Sequence, residues 1–282
     1  MNYRHAFHAG NFADVFKHLI LTRLLLYLAR KATPFRYIDT HAGIGVYDLS
    51  SDEAQRTGEW RDGIGRIIAA DFPADVRVLT HHYLDIVRGL NPDGGLRHYP
   101  GSPVLAAKLL RQTDRIALCE LHPQDARTLR AAMRRDERVK VVEIDGYTGL
   151  NAFTPPPERR GLALIDPPFE ETDEFERVLK ALKVAHAKWP TGVYAIWHPF
   201  KHPDRVARFL DALVASGIRR VLSVEIQTCA FDPLGPLSGC GMTIVNPTHG
   251  LADELEIVLP ALTNCLATGE GYAWRVRELV GE

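Results

Sequence analysis

The residues best suited to chemistry lie in one short segment, Asp166-Pro167-Pro168-Phe169. An apolar run at 161–165 precedes it and predicts a strand that is buried on both faces. The strand must end at Asp166, because the two prolines remove two amide donors and disfavour helical geometry before them. An acid, a rigid backbone and an aromatic ring are therefore expected at the carboxyl end of a buried strand, where open α/β sheets bind ligands.

This arrangement suits the activation of an exocyclic amino group on a nucleic-acid base. The lone pair of such a nitrogen is delocalised into the ring, so the nitrogen is a poor nucleophile. The Asp166 carboxylate and a fixed backbone carbonyl would accept the amino hydrogens and favour a pyramidal nitrogen. The Phe169 ring would stack on a base that has left its helix. An ordinary strand end beside a core phenylalanine is the alternative, so the rest of the sequence must decide.

Three other predicted strands also end in an acid, at Asp39, Glu120 and Asp145. Their recurrence at one edge of a single sheet favours a nucleotide-like ligand over three unrelated loop caps. Glu120 could accept from two ribose hydroxyls, and Asp145 could accept from the adenine amino group of a cofactor. A salt-bridging surface acid is the alternative for Glu120, and a loop cap is the alternative for each.

The turn after Asp39 distinguishes two kinds of nucleotide cofactor. Its glycines, Gly43 and Gly45, let the backbone approach a ligand closely. A dinucleotide fingerprint requires a third glycine, and Asp48 occupies that position. The spacing Asp-x-x-x-Gly-x-Gly therefore favours S-adenosylmethionine over a nicotinamide cofactor.

The N-terminal part of the chain predicts one long helix that begins after Asn11 as its N-cap and continues to about residue 30. Its apolar residues recur at helical spacing, and Asp14, Lys17 and His18 fall off that stripe. The start of a helix favours anions such as carboxylates and phosphates. A solvated helix start is the alternative for these polar residues.

The remaining pattern alternates strands with helices and predicts a parallel α/β sheet. Strands are expected at 192–197, 220–227 and 242–246, and helices at 104–111, 174–188 and 204–216. Pro260 is expected to interrupt the last apolar helical region. Residues 50–98 depart from the alternation with two helical stretches, and we interpret them as an inserted helical subdomain within a single domain spanning 1–282.

Composition sets the broad class of protein. The chain has 282 residues, 46% of them hydrophobic, without a run that approaches a membrane span. The N-terminus has no signal-peptide core, and the four cysteines are scattered, so we expect a cytoplasmic protein with neither a zinc site nor disulfides. A net charge of −1 argues against coating of long nucleic acid, although basic residues cluster in 1–36 and 127–140.

Several short motifs are distributed over nearly the whole chain. They are 3–18, Asp39-Thr40-His41-Ala42-Gly43 with Gly45, Arg56-Thr57-Gly58-Glu59, Tyr99-Pro100-Gly101-Ser102-Pro103, Glu120-Leu121-His122-Pro123, Asp145-Gly146 and Leu164-Ile165-Asp166-Pro167-Pro168. Together they resemble the motifs of the class I S-adenosylmethionine-dependent methyltransferases and, more narrowly, the bacterial RlmJ family. The N-terminal block and the Pro-Gly-Ser-Pro turn are the most specific of them.

The resemblance implies an α/β fold with a Rossmann-like class I methyltransferase sheet, and methylation of N6 of an adenine in 23S ribosomal RNA. The implied cofactor contacts are His18, His41, Ser102, Glu120, Asp145 and Gly146. Asp166 is the implied catalytic residue, and Tyr3 and Lys17 are implied to lie near the incoming adenine. Phe169 stands where familiar members have tyrosine, which keeps the stacking face and loses a hydroxyl.

Two other functions compete with this interpretation. A DNA adenine-N6 methyltransferase shares the Asp-Pro-Pro-aromatic segment, and a non-catalytic RNA-binding protein could retain the fold. The near-neutral charge favours a small footprint on a folded RNA over duplex DNA. We therefore expect a monomer that uses S-adenosylmethionine without a metal or a membrane, and that acts on protein-free or partly assembled 23S RNA.

Overall fold

The computed structural model describes residues 4–281, and over those residues it contains a mixed sheet of eight strands and a separate antiparallel pair. The strands are β1 (Arg36–Asp39), β2 (Val46–Asp48), β3 (His98–Pro100), β4 (Arg115–Cys119), β5 (Val139–Val142), β6 (Gly161–Ile165), β7 (Val193–Pro199), β8 (Val221–Gln227), β9 (Gly239–Val245) and β10 (Ala273–Val280). The helices are α1 (Phe12–Ala29), α2 (Asp52–Thr57), α3 (Arg66–Ala69), α4 (Ala74–Gly89), α5 (Ser102–Leu109), α6 (Pro123–Met133), α7 (Gly146–Phe153), α8 (Glu174–Lys188), α9 (Pro203–Ala215) and α10 (Leu251–Leu266).

The large sheet has the strand order β10-β8-β9-β7-β6-β1-β4-β5. The strands from β7 to β5 are parallel, whereas β9 runs antiparallel to β7 and β8, and β10 runs antiparallel to β8. The chain order reverses between β1 and β6, and ligands of such sheets bind outside the carboxyl ends of strands at this point. This is the predicted Rossmann-like class I methyltransferase sheet, and the predicted fold class is confirmed.

Helices cover both faces of the sheet because alternate strand residues point in opposite directions. Tyr37 of β1 and Leu164 of β6 join a hydrophobic cluster with residues of α1 and α10. Their neighbours Ile38 and Ile165 join another cluster with residues of α8 and α9. The central strands are therefore buried on both sides, and ligands reach them at the strand ends.

The strands expected at 192–197, 220–227 and 242–246 correspond to β7, β8 and β9, but the sequence pattern missed three others. The strands β2 and β3 have only three residues each, and β10 is a largely exposed edge strand without an apolar run. The expected interruption at Pro260 is wrong, since α10 continues through it. Pro260 has no amide hydrogen to donate to the carbonyl of Glu256, four residues earlier. Both residues are exposed on α10, so water can replace the missing hydrogen bond.

Residues 50–98 contain α2, α3, α4 and a π-helical turn at Arg61–Gly65, in the regions expected to be helical. Their side chains Ile64, Ile67 and Tyr83 share one hydrophobic cluster with Leu24 of α1. Their assignment as an inserted helical subdomain stays a prediction. Within residues 4–281, no helix combines the length and apolarity needed to cross a bilayer.

Helix α1 begins as predicted, with the Asn11 side chain accepting the amide of Asp14. The alternative of a solvated helix start is wrong, because Asp14, Lys17 and His18 are all buried. The helix is covered on that side too, since it packs against α4, α5, α10, β6 and β9. Charged side chains in such a position need close partners, because their desolvation is costly.

Two arginines of the basic cluster in residues 1–36 are neutralised within the fold. The Arg23 guanidinium forms a bidentate pair with Glu254, with both nitrogen–oxygen distances 2.8 Å. Arg36 lies 3.0 Å from Glu158. These acids are far away in sequence, so counting charges along one segment could not reveal the pairing.

A testable prediction concerns His198, which is fully buried in β7. Burial lowers the pKa of its imidazole from 6.5 to about 3. When the pH falls below the pKa of free histidine, this residue takes up a proton in the unfolded chain but not in the folded chain. The free energy of unfolding therefore decreases as the pH falls. This histidine should cost about 1 kcal/mol of unfolding free energy between roughly pH 6.5 and pH 5.5.

Chemical denaturation of the native chain and of His198→Gln at these two pH values measures the effect. Glutamine does not titrate, so the difference in unfolding free energy between the two proteins should change by about 1 kcal/mol. A difference that stays constant would contradict the assignment of a neutral, buried imidazole.

Candidate active site

The acid of the Asp166-Pro167-Pro168-Phe169 segment lies where β6 ends. Every residue of β6 is buried and the strand stops at Ile165, as predicted. The Asp166 side chain is 17% exposed, so a ligand can reach its carboxylate. Because β1 pairs in parallel with β6, with Asp39 opposite Leu164, the loops after both strands open at the same edge.

Lys17 of α1 contacts the same carboxylate. Its Nζ lies 2.6 Å from Oδ2 of Asp166 and 2.9 Å from Oδ1 of Asp14. Burial opposes the charge of Lys17, but the two carboxylates raise its pKa well above the usual value. Burial also opposes the charge of Asp14, but His5 and Lys17 hold its pKa well below the usual value. The structure thus places Lys17 directly against the predicted catalytic acid.

Asp39 is fully buried at the end of β1 and accepts hydrogen bonds from two hydroxyls. The Ser102 hydroxyl donates to its Oδ2 at 2.6 Å, and the Tyr37 hydroxyl donates to the same oxygen at 2.7 Å. Burial raises the pKa of Asp39 to about 6 despite these bonds. Ser102 is therefore bonded to Asp39 in this structure, and its contact with a cofactor stays a prediction.

Glu120 follows β4 and is oriented by two backbone amides. The Gly43 amide donates to Oε2 and the His122 amide donates to Oε1, both at 2.8 Å. Burial raises the pKa of Glu120 above its usual value, although both amides favour the ionised form. Each carboxylate oxygen has a second lone pair, which leaves it able to accept from a pair of ribose hydroxyls.

Asp145 and Gly146 form the start of α7, where Asp145 is the N-cap. Its Oδ2 accepts from the Thr148 amide at 2.8 Å. A Cβ on Gly146 would lie 2.3 Å from the Thr40 carbonyl oxygen and 2.7 Å from the His41 ring. A glycine is therefore needed for α7 to approach the turn after β1 so closely.

His41, Asp145, Gly146 and Pro168 line one cavity, which joins three of the predicted cofactor residues to the Asp-Pro-Pro segment. Its wall contains Gly146, the helix-capping Asp145 and His41, and burial lowers the pKa of the His41 imidazole to about 4. The neutral imidazole of His41 and the carboxyl group of Asp145 lie where α7 and the turn after β1 approach closely. Such a lining suits an uncharged nucleoside that carries a charged sulfonium group. These residues therefore fit S-adenosylmethionine.

His18, another predicted cofactor residue, is buried, with 1% of its surface exposed. Its Nδ1 lies 2.7 Å from the Tyr99 hydroxyl, and the two rings stack with centroids 5.5 Å apart. Burial lowers the pKa of His18 to about 3, so its ring is neutral. Its contact with a cofactor stays a prediction, and in this structure its observed partner is Tyr99.

Phe169 adopts a left-handed backbone conformation, with φ of 51°. This conformation is rare and strained for a bulky residue, and such strain is concentrated at functional sites. Its ring lies 4.8 Å from that of Phe175 and 5.9 Å from that of Trp197 of β7. The Phe169 ring therefore packs against other aromatic side chains, and its stacking on a base stays a prediction. Tyr3, which is predicted with Lys17 and Phe169 to lie near the substrate, is outside the described residues.

Comparison with known proteins identifies the family. The model of the family described as "Ribosomal RNA large subunit methyltransferase D, RlmJ" matches residues 32–279. The chain belongs to the RlmJ family.

Relatives at high coverage agree with this membership. Ribosomal RNA large subunit methyltransferase J of Escherichia coli K12 is 40% identical over 283 residues, with 99% of this chain and 100% of the relative covered. The protein of the same name from Haemophilus influenzae is 40% identical over 284 residues and covers 100% of both chains. A crystal structure of a Legionella pneumophila protein has a TM-score of 0.88 at 35% identity and covers 96% of this chain and 98% of that one.

Sequence reasoning missed two residues at the site of this RlmJ-family chain. Asp14 was noted only as a polar residue off the apolar stripe of α1, yet it binds Lys17. Trp197 was treated as the end of a strand, yet its ring contacts Phe169. An available signal was the position of Trp197 near the carboxyl end of the strand that follows β6, because the carboxyl ends of parallel strands lie at the same edge of the sheet.

Proposed function

We propose that this chain transfers a methyl group from S-adenosylmethionine to the exocyclic N6 of an adenine in 23S ribosomal RNA. The observation that carries the proposal is the reachable Asp166 carboxylate, held by Lys17 at 2.6 Å and followed by the ring of Phe169. Both relatives reported above are named as methyltransferases of large-subunit ribosomal RNA, which supports the substrate class.

The cofactor would lie at the edge formed by the ends of β1, β4 and β5. Glu120 would accept from its ribose, Asp145 would accept from its adenine, and Gly146 leaves room for its close approach. His18, His41 and Ser102 complete the proposed contacts. When bound, the cofactor supplies an electrophilic methyl group on a sulfonium centre.

Asp166 would accept one amino hydrogen of the target adenine, and a backbone carbonyl of the same segment would accept the other. Lys17 would fix the carboxylate, since its buried ammonium lies 2.6 Å from Oδ2 of Asp166. A strong base is not required before transfer, because the amino group becomes acidic only after methylation. Alignment of the reacting atoms and the placement of charge would therefore supply most of the rate.

Phe169 provides a prediction for the substrate side of the site. Phe169→Ala should weaken productive binding by about 1–3 kcal/mol through loss of base stacking. Phe169→Tyr should be nearly neutral, because it keeps the ring face. Methylation rates at low RNA concentration measure both variants, and equal activity of the alanine variant would exclude a stacking role.

The competing substrates can be separated directly. Methyl incorporation should be compared for deproteinised 23S RNA, intact large subunits and adenine-containing duplex DNA. We expect deproteinised RNA to be the best acceptor, because an adenine in an assembled subunit is enclosed by RNA and protein. Faster methylation of duplex DNA would favour the DNA enzyme, faster methylation of intact subunits would overturn the timing, and no methylation of any acceptor would favour a non-catalytic RNA-binding protein.

The cellular role follows from the same proposal. The reaction would take place in the cytoplasm on protein-free or partly assembled RNA, with the chain acting as a monomer. Mass spectrometry of digested ribosomal RNA from cells with and without this protein should show one N6-methyladenine that depends on it. The same modification level in both strains would contradict the proposal.

A further inference from the structure

We infer that Asp14 is a positioning residue for the proposed reaction, which holds Lys17 against Asp166 and connects the N-terminal segment to the active site. The inference rests on the proposed function, because it assigns a role at that same site. It concerns a residue that would touch neither the cofactor nor the RNA.

The two oxygens of Asp14 have different partners. Oδ1 lies 2.9 Å from Nζ of Lys17, one turn along α1. Oδ2 accepts the Gly10 amide at 2.9 Å and lies 2.9 Å from Nε2 of His5. The carboxylate therefore bridges the lysine that contacts Asp166 and the turn at His5–Phe7 that precedes α1.

Burial distinguishes this ion pair from an ordinary helical one. Asp14 is 1% exposed and Lys17 is 5% exposed, so the pair is shielded from water and salt. Asp85 and Arg88 have the same i,i+3 spacing on α4, but their side chains are 62% and 54% exposed. Exposed pairs of this kind contribute little, whereas the loss of one partner from a buried pair has a large effect.

A second acid is needed because the lysine side chain is long and flexible. A single contact with Asp166 would leave several rotamers of Lys17 available, since four torsions separate its ammonium from the backbone. Asp14 is fixed on the same helix and restricts the ammonium to the position between the two carboxylates. The orientation of Asp166 then depends on Asp14 through Lys17.

The test is a double-mutant cycle with Asp14→Asn, Lys17→Met and the double variant. Asp14→Asn keeps an acceptor for the Gly10 amide but removes the charge that attracts Lys17. We expect kcat on deproteinised 23S RNA to fall by at least about tenfold, with the Kd for S-adenosylmethionine unchanged by calorimetry. If Asp14 acts through Lys17, the double variant should be no slower than Lys17→Met alone.

Asp85→Asn is the matched control, because it removes an exposed acid of the same spacing and should leave kcat and Kd unchanged. Native kcat for Asp14→Asn, or an equal loss in the presence and absence of Lys17, would overturn the inference. A parallel loss of cofactor affinity would also overturn it, because that loss indicates general disruption of the fold.

A crystal structure of Asp14→Asn provides a readout that does not depend on activity. The inference requires Lys17 to leave its position against Asp166, and retention of the 2.6 Å contact would overturn it. If the native chain methylates no RNA, the proposed function fails on its own, and the structure of the variant still decides the role of Asp14.

Discussion

Asp166→Ala is expected to abolish methyl transfer while leaving the affinity for S-adenosylmethionine within about tenfold, roughly 1.4 kcal/mol. The substitution removes the acceptor proposed for the amino group, and the loss of one preorganised electrostatic group costs on the order of 10²–10³ in rate, which would leave at most a trace of activity. Folding should be retained, because Lys17 keeps its 2.9 Å contact with Asp14 when Asp166 is absent.

Calorimetric titration with S-adenosylmethionine and single-turnover methylation of deproteinised 23S RNA separate the two effects. Glu120→Ala is the complementary variant and should raise the cofactor KM first, since Glu120 is proposed to hold the ribose. If Asp166→Ala instead loses cofactor binding, the proposed division between a substrate acid and a cofactor acid is wrong.

Local sequence was sufficient to predict where Asp166 lies. The apolar run before it and the prolines after it act through neighbouring backbone groups, so the position of the strand end follows from a few adjacent residues. Rules of this kind apply wherever cause and effect are close in the chain. Asp145 was predicted less well, because its strand β5 already ends at Val142 and the helix α7 that Asp145 caps was not expected.

The partners of α1 could not be predicted in the same way. The contact between Lys17 and Asp166 joins residues 149 positions apart. Helical periodicity placed Lys17 off the apolar stripe of α1, yet Lys17 is buried, and α1 packs against several elements that include β6 and β9. A periodic pattern shows which face is apolar, and it cannot show that a polar face is buried against charges from elsewhere.

Gly146 illustrates how a contact between distant elements determines the need for one residue. The sequence suggested a glycine in a cofactor motif, whereas the structure shows what excludes a side chain there. A Cβ would lie 2.3 Å from the Thr40 carbonyl oxygen, which belongs to rigid backbone at the end of β1. The start of α7 and its capping Asp145 would have to move away from His41.

Gly146→Ala should therefore weaken S-adenosylmethionine binding by more than about tenfold and cost about 1–3 kcal/mol of stability through overpacking. Gly89→Ala is the matched control, because a Cβ at this position in α4 would have no atom within 4 Å. That variant should bind the cofactor normally and be as stable as the native chain or more stable by about 0.4–1 kcal/mol.

Calorimetry and chemical denaturation of the two glycine variants measure both effects. Native cofactor affinity in Gly146→Ala would show that α7 can move without disturbing the proposed site, and would remove Asp145 and Gly146 from it. Loss of stability with native affinity would leave Gly146 as a packing residue only. Loss of both, with Gly89→Ala unaffected, is the result expected if the close approach of α7 to the turn after β1 forms the cofactor site.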